Sequence, residues 1–266
     1  MASSVVISNP VPPPPPKEEL RILTQNCCLL PSYIYQSKGT DDREQRAALI
    51  MEMVQRYDVV LLQEVFGTKW CHEWRELFLH VPKMQSLFSV KHSLKLIDSG
   101  LAILSRYPIV TGQFIPFRSK SVSNAIINRG FLYAQIQVGE KMIHVVSSHL
   151  CPNEMNFGIH TPSEYRRRQL AEIVAFKQVQ GHEQDPWVIG GDFNDDQVVF
   201  SLAPAMQITL ADSKPPTSHR QVPYAISCTE EQKCIDYIAT NRTQRYSRVV
   251  GNLISDHYGV ETVITL

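Results

Sequence analysis

The chain has 266 residues, of which 43% are hydrophobic and 20% charged, so it can bury a sizeable core and global disorder is excluded. Its 26 Lys and Arg are balanced by 26 Asp and Glu. Proteins that live on nucleic acid usually carry a basic excess, so nucleic acid is the less favoured partner. No apolar run approaches the ~18 residues of a membrane-spanning helix, and the six cysteines form no Cys-x-x-Cys pair. We therefore expect reduced thiols and a cytoplasmic protein that attaches to membranes only peripherally.

Residues 1–19 differ in composition from the rest of the chain. Pro10 and Pro12 to Pro16 favour an extended polyproline conformation, which has no internal hydrogen bonds and is not expected to join a packed core. We predict a flexible leader over residues 1–19 and one domain over residues 20–266. A recognition role for the proline run stays open.

From residue 20 onwards, strand-like and helix-like patterns alternate. Amphipathic spacing predicts helices at residues 41–57, 68–82 and 163–180, with Arg166 to Arg168 largely outward in the last one. Apolar runs and period-two alternation predict the strands, two of which form a hairpin across a turn at Gly139. The predicted strands cover residues 20–26, 59–65, 101–108, 109–115, 130–138, 142–150, 187–192, 234–239 and 259–265.

The stretch at residues 187–196 ends a buried strand with two glycines, after which Asp192 and Asn194 follow. Side chains at positions i and i+2 of an extended segment lie on the same face, so this carboxylate and this amide point the same way. The glycines allow a backbone or a ligand to approach closely. The pair suits a phosphate and its attacking water, and an Asp/Asn turn after a buried strand is the structural alternative.

Polar residues also recur at the ends of the other apolar runs, which is where functional groups converge in layered folds. Taken singly, Asn26 is typical of a turn and His149 of a hydrogen-bonded core histidine. Asp236, however, lies inside an apolar run and is costly to bury without a partner such as His257. Carboxylates and amides without paired cysteines favour a hard cation, Mg²⁺ or Mn²⁺. The candidate set is Asn26, Glu64, His149, Asp192, Asn194, Asp236, Asp256 and His257.

Six short motifs, in this order, resemble the endonuclease/exonuclease/phosphatase superfamily. They are TQN at residues 24–26, LQEV at 62–65, SHL at 148–150, GDFN at 191–194, IDY at 235–237 and SDH at 255–257. The resemblance covers nearly the whole domain. It implies an α/β fold of the α+β type, a four-layer sandwich in which two packed mixed β-sheets are flanked by helices. It also implies metal-dependent cleavage of phosphodiesters or phosphomonoesters.

Within that superfamily the chain is most similar to the neutral sphingomyelinases, through LQEVF at residues 62–66, the strand at 98–109 and the Arg129-Gly130 step. This implies a monomer that hydrolyses sphingomyelin, or a related phospholipid, to ceramide or diglyceride and a phospho-headgroup at a membrane surface. A nuclease or DNA-repair phosphodiesterase and an inositol-phosphate phosphatase are alternatives on the same fold. An inactive binding module is a third interpretation.

The resemblance also implies roles for the metal and the proton. Glu64 is expected to be the principal Mg²⁺ ligand, with Asn26 beside it and Asp256 contributing. His257 is expected to take the proton from the attacking water, and Asp236 to hold its imidazole in position.

On the substrate side, Asp192 and Asn194 are expected to orient the nucleophile and the phosphate. His149 is expected to donate hydrogen bonds to the developing negative charge. A lipid substrate further requires exposed apolar groups near the site. We predict that the aromatic residues of the segments at 70–78 or 114–117 provide them, and core packing is the alternative for both segments.

Overall fold

The computed structural model describes residues 5–30, 43–66, 73–89, 97–119, 127–153, 160–197, 202, 207–209, 234–250 and 254–266. Within these ranges the chain forms thirteen strands and three helices. In chain order they are β1 (Val5–Ile7), β2 (Glu19–Leu29), α1 (Arg43–Val54), β3 (Val59–Val65), α2 (Glu73–Leu79), β4 (Gln85–Ser89), β5 (Ala102–Ser105), β6 (Ile109–Pro116), β7 (Gly130–Val138), β8 (Lys141–His149), α3 (Pro162–Gln180), β9 (Trp187–Asp192), β10 (Gln207–Thr209), β11 (Asp236–Thr240), β12 (Gln244–Val250) and β13 (Gly259–Thr265).

The strands form two mixed sheets. The seven-stranded sheet has the order β1-β4-β5-β3-β2-β13-β12, and the six-stranded sheet has the order β10-β11-β9-β8-β7-β6. Each sheet contains one parallel pair of named strands, β2 with β3 and β8 with β9. The remaining neighbours in both orders are antiparallel.

Three apolar clusters divide the molecule into layers. Between the sheets, residues such as Ile22 and Leu61 of one sheet pack with Leu132 and Val145 of the other. A second cluster joins α1 and α2 to the outer face of the seven-stranded sheet. A third joins α3 to the outer face of the six-stranded sheet. The predicted four-layer sandwich of two packed mixed sheets flanked by helices is therefore confirmed.

The two parallel pairs bring the predicted site residues to one end of the sandwich. Parallel strands present their carboxyl ends at the same edge, so β2 and β3 end together, and so do β8 and β9. In the antiparallel pairs, β11 begins with Asp236 opposite Asp192, and β13 begins beside the end of β2, with Val260 opposite Thr24. The end of each parallel pair therefore meets the start of an antiparallel neighbour.

The prediction of a leader that stays apart from the core differs from the structure over residues 5–19. Val5–Ile7 pairs with β4 as an edge strand, and the Tyr107 hydroxyl donates a hydrogen bond to the carbonyl oxygen of Pro15 at 3.2 Å. Ser8, Val11 and Pro14 are half-buried while the residues between them are exposed. This three-residue period is that of a polyproline helix, so the extended conformation packs one of its faces on the domain.

The helices and aromatic segments correct three further predictions. Trp74 and Phe78 are buried under the seven-stranded sheet, and Phe114 and Phe117 are buried as well, so these aromatics are core and do not provide a lipid-facing surface. Trp70, and residues 41–42 at the start of the first predicted helix, lie outside the described residues. Arg166, predicted to face outward, is buried, whereas its neighbours Arg167 and Arg168 are exposed.

The hairpin predicted across Gly139 is formed by β7 and β8. The two runs around Pro108, by contrast, do not continue one another in one sheet. β5 belongs to the seven-stranded sheet and β6 to the six-stranded sheet, so the chain crosses between the sheets at this proline. The strands β1, β4, β10 and β12 were not predicted; three of them are edge strands, and β4 lies next to the edge strand β1.

Candidate active site

All eight candidate residues lie in the described part of the chain, and their contacts form one connected group. Asn26 is its bridge, because its amide nitrogen donates to Glu64 Oε1 at 3.1 Å and to Asp192 Oδ2 at 3.0 Å. The Asn26 Oδ1 atom accepts from the backbone N–H of Cys28 at 3.0 Å. That backbone donor requires an acceptor, which fixes the amide so that its nitrogen faces the carboxylates. Asn26 therefore positions Glu64 and Asp192 relative to each other.

An imidazole–carboxylate pair faces the same aspartate. His257 Nδ1 lies 2.8 Å from Asp236 Oδ2, and its Nε2 lies 3.8 Å from Asp192 Oδ2. His257 is held from its backbone by the Ser255 hydroxyl, which accepts from its N–H, and by Gln25, which donates to its carbonyl oxygen. Burial lowers the pKa of His257, but the charges of Asp236 and Asp192 outweigh it and raise the pKa well above its usual value.

His149 approaches Asp192 from the end of β8, with its Nε2 3.5 Å from Asp192 Oδ2. Its buried Nδ1 has no hydrogen-bond partner among the residues that the structure describes. Burial lowers the pKa of His149 far below its usual value, and the nearby charges of Arg129 and His257 lower it further. His149 and His257 both approach Asp192, and their pKa values are shifted in opposite directions. Such an arrangement is typical of acid–base sites.

The carboxylates gathered at this edge, of which Glu64 is half-buried and Asp192, Asp236 and Asp256 are buried, repel one another. Burial raises the pKa of Glu64 to about 7, the charge of Asp256 adds to the rise, and the hydrogen bond from Asn26 partly opposes it. Burial likewise raises the pKa of Asp192 to about 6, with a further contribution from Asp236. A cation bound between Glu64 and Asp256 would offset this repulsion, and carboxylate oxygens are the ligands that Mg²⁺ and Mn²⁺ prefer. The residues present therefore fit a hard divalent ion.

Backbone conformation is strained at the same edge. Glu64 and Asn194 both have a positive φ, 57° and 53°, which is uncommon for residues other than glycine and clusters at functional sites. The Asn194 backbone N–H donates to Asp192 Oδ1 at 2.9 Å, and its side-chain amide donates to the carbonyl oxygen of Leu150 at 3.1 Å. These bonds hold Asn194 between the ends of β8 and β9.

Gly191 is required by the same geometry. It has a φ of 144°, and a Cβ at this position would overlap the carbonyl oxygen of Ser148 on the parallel neighbour β8. We expect Gly191→Ala to lower the free energy of unfolding by ~3 kcal/mol or more, measured by urea denaturation. Gly181→Ala is the matched control, because Gly181 also has a positive φ but has open space around its Cα, so its cost should be ~1 kcal/mol. Equal losses in the two variants would contradict the close approach at Gly191.

Two arginines of the site were not among the predicted residues. Arg129 is buried, and its positive charge acts on Glu64, Asp192 and His149. Arg166 of α3 donates to Asp195 Oδ2 at 2.9 Å and to the carbonyl oxygen of Cys151 at 3.0 Å, so it ties together the segments that follow His149 and Asn194. The Arg129-Gly130 step was noted in the sequence, but nothing in its spacing placed it at the site.

A sequence model described as Endonuclease/Exonuclease/phosphatase family matches residues 23–257. The chain belongs to this family. Sphingomyelinase C of Bacillus cereus is 27% identical over 195 residues, which cover 67% of this chain and 58% of that protein. Phospholipase C of Staphylococcus aureus is 26% identical over 194 residues, which cover 66% of this chain and 57% of that protein. The match thus spans less than two thirds of these family members' own length.

Solved structures show the same fold. The crystal structure of SmcL superimposes with a TM-score of 0.77 at 20% sequence identity. The match covers 93% of the present chain and 99% of the SmcL chain. A Staphylococcus aureus beta toxin variant with bound magnesium ions has a TM-score of 0.74 at 19% sequence identity. The match covers 93% of the present chain and 100% of the toxin chain. The structure of a humanized D. rerio TDP2 has a TM-score of 0.67 at 17% sequence identity. The match covers 94% of the present chain and 100% of the TDP2 chain. Among the helices that the structure describes, none is long and apolar enough to cross a membrane.

Proposed function

We propose that this chain is a divalent-metal-dependent phosphodiesterase of the sphingomyelinase C type. The observation that carries the proposal is a single buried group in which the His257–Asp236 pair and the Glu64–Asp256 carboxylates both connect to Asp192. A phosphodiesterase needs a proton acceptor for water and positive charge for the phosphate. This group provides residues suited to both.

Glu64 and Asp256 would hold the metal ion, and Asn26 would keep Glu64 in position through the amide hydrogen bond. A bound Mg²⁺ would stabilise charge on the phosphate oxygens and on the leaving group, and would offset the carboxylate charge that raises the pKa of His257. Manganese, with the same preference for oxygen ligands, is expected to substitute.

His257 would accept the proton of the attacking water at Nε2, since its Nδ1 is engaged by Asp236 at 2.8 Å. The 3.8 Å between His257 Nε2 and Asp192 Oδ2 is longer than a hydrogen bond. A water held between these two atoms would be oriented by Asp192 and deprotonated by His257. The proton on Nδ1 stays with the imidazole, where Asp236 stabilises the charged form.

His149 would stabilise the developing charge on the phosphate. Its lowered pKa keeps the ring neutral at neutral pH, so it carries one N–H donor without competing for the proton that His257 takes. A preorganised donor of this kind contributes ~3 kcal/mol to transition-state stabilisation. The buried positive charge of Arg129 acts on the same group and favours an anionic substrate.

For the substrate, we infer a phospholipid with a phosphocholine-type headgroup, sphingomyelin first. Support comes from the names of the relatives, which are sphingomyelinases C and a phospholipase C, over about two thirds of this chain. Hydrolysis of sphingomyelin gives ceramide and phosphocholine. Membrane attachment, a monomeric state and a cytoplasmic location stay predictions from the sequence.

A substrate panel in Mg²⁺ tests the proposal. Purified protein is given sphingomyelin in mixed micelles, a lysophospholipid, abasic DNA and an inositol polyphosphate, with His257→Ala as the background control. We expect kcat/KM to be highest for sphingomyelin and the activity to disappear with EDTA. Highest kcat/KM on DNA or on the inositol phosphate would overturn the lipid assignment, and turnover that persists in EDTA would overturn the metal dependence.

A further inference from the structure

A second group of potential metal ligands lies at the opposite end of the β8–β9 pair. It consists of His144, His182 and Asp185, and within the described ranges it is one of two groups of three such residues close enough to share an ion. His144 is in register with Trp187, five residues before His149 and Asp192 are in register at the other end. Five residues of strand span ~17 Å, so the group is remote from the candidate active site.

The three ligand atoms lie within 4.8 Å of one another, and the two distances to Asp185 match those of a tetrahedral zinc site. His144 Nε2 and His182 Nδ1 each lie 3.2 Å from Asp185 Oδ2. Ligand atoms bound 2.0–2.1 Å from Zn²⁺ at tetrahedral angles are ~3.3 Å apart. Both observed distances therefore correspond to edges of one such tetrahedron. His182 and Asp185 are half-exposed, which leaves solvent access for a fourth ligand.

His144 has the surroundings of a metal-binding histidine. Its side chain is fully buried, and its Nδ1 lies 2.8 Å from the Tyr133 hydroxyl. When that hydroxyl accepts from Nδ1–H, the lone pair of Nε2 is directed at Asp185 and is available to an ion. The ring stacks on Trp187 with 4.5 Å between centroids, which fixes its orientation.

The turn that carries the other two ligands is anchored. The Asp185 backbone N–H donates to the His182 carbonyl oxygen, and that same oxygen accepts from the Trp187 indole at 2.8 Å. Asn241 donates to the Asp185 carbonyl oxygen at 2.9 Å. The ligands are thus presented by a fixed turn. Two positive side chains lie nearby: the Lys177 ammonium is 5.7 Å from the centre of the Trp187 ring, and Arg242 donates to the carbonyl oxygen of Gln184.

We propose that His144, His182 and Asp185 form a Zn²⁺ site, distinct from the oxygen-ligand site at Glu64 and independent of the proposed function. Two imidazoles and one carboxylate select zinc and its neighbours in the first transition series over Mg²⁺. Binding there fastens the turn at residues 182–185 to the sheet and is expected to stabilise the folded protein.

Calorimetric titration of the full chain with Zn²⁺ tests the site, in a Glu64→Gln background that weakens metal binding at the other end. We expect one zinc equivalent. Tyr133→Phe should weaken affinity by ~10–100-fold, as loss of an outer hydrogen-bond partner does, and His182→Ala or Asp185→Asn by more than that. His80→Ala, an exposed histidine elsewhere, is the matched control and should leave the isotherm unchanged.

Co²⁺ in place of Zn²⁺ gives a second readout, since its visible absorption bands report tetrahedral coordination. The bands should appear in the Glu64→Gln protein and disappear with His182→Ala, whose circular dichroism should stay that of the parent. His182→Ala should also retain Mg²⁺-dependent turnover in the wild-type background. An isotherm that His182→Ala and Asp185→Asn leave unchanged, or no zinc binding in the parent, would overturn the proposal.

Discussion

Replacing His257 with alanine is expected to reduce turnover by at least ~100-fold, because the variant lacks the group that takes the proton from water. The variant should fold, since the His257 backbone N–H and carbonyl contacts to Ser255 and Gln25 do not involve the imidazole. Steady-state kinetics on the preferred phosphodiester, with circular dichroism as the folding control, measures the effect. Turnover within tenfold of the wild type would remove His257 from the mechanism.

A double-mutant cycle tests whether Asp236 acts on catalysis through His257 or independently of it. Groups that act as a unit lose their contribution once, so Asp236→Ala combined with His257→Ala should be little slower than His257→Ala alone. His80→Ala serves as the exposed-histidine control and should retain wild-type kinetics. If the losses of the two single variants multiply in the double variant, Asp236 does not act through His257.

Replacing Glu64 with glutamine is expected to raise the Mg²⁺ concentration required for half-maximal activity and to lower kcat/KM at all Mg²⁺ concentrations. The amide keeps the size of the side chain and removes the charge that an ion would neutralise. A metal titration of activity measures the effect, with Glu76→Gln, an exposed position on α2, as the control. An unchanged Mg²⁺ requirement would contradict the role of Glu64.

The same variant has a readout without substrate. Burial raises the folded-state pKa of Glu64 to about 7 from an ordinary value of 4.5, so its stabilising contribution is present below pH 4.5 and is lost as the pH rises through 7. Each unit of pKa shift corresponds to ~1.4 kcal/mol. In EDTA, thermal stability should therefore decline over this window more in the wild type than in Glu64→Gln. Added Mg²⁺ should restore the thermal stability at pH 8 in the wild type but not in Glu64→Gln. Equal stabilisation of both proteins by Mg²⁺ would show that the ion binds elsewhere.

The sequence singles out the candidate site residues for a physical reason. Glu64 ends an apolar run and Asp236 lies inside one, and at both positions a charge is tolerated only with a partner. Their convergence depends on which strands are neighbours, and the order of the motifs, through the family resemblance, supplied that information. The four-layer sandwich is confirmed for the same reason, since the resemblance carried the topology that local periodicity does not contain.

What the sequence does not predict depends on contacts between distant segments. Val5–Ile7 is too short to stand out as a strand in the sequence and forms one through its pairing with β4. Arg166 lies in a run of three arginines, and its burial follows from Asp195, which is 29 residues away. His144 reads as an ordinary strand residue until the turn that carries Asp185 folds onto it. In each case the residue or strand that makes the contact is distant in sequence, so the local sequence pattern does not reveal it.

Our proposal is that Glu64, at the end of β3, and Asp256, shortly before β13, hold one divalent metal ion. Anomalous diffraction from crystals grown with Mn²⁺ tests it most directly. We expect a manganese peak in contact with the carboxylates of Glu64 and Asp256, and its loss in Glu64→Gln. A structure with manganese bound elsewhere and no peak at Glu64 would contradict it.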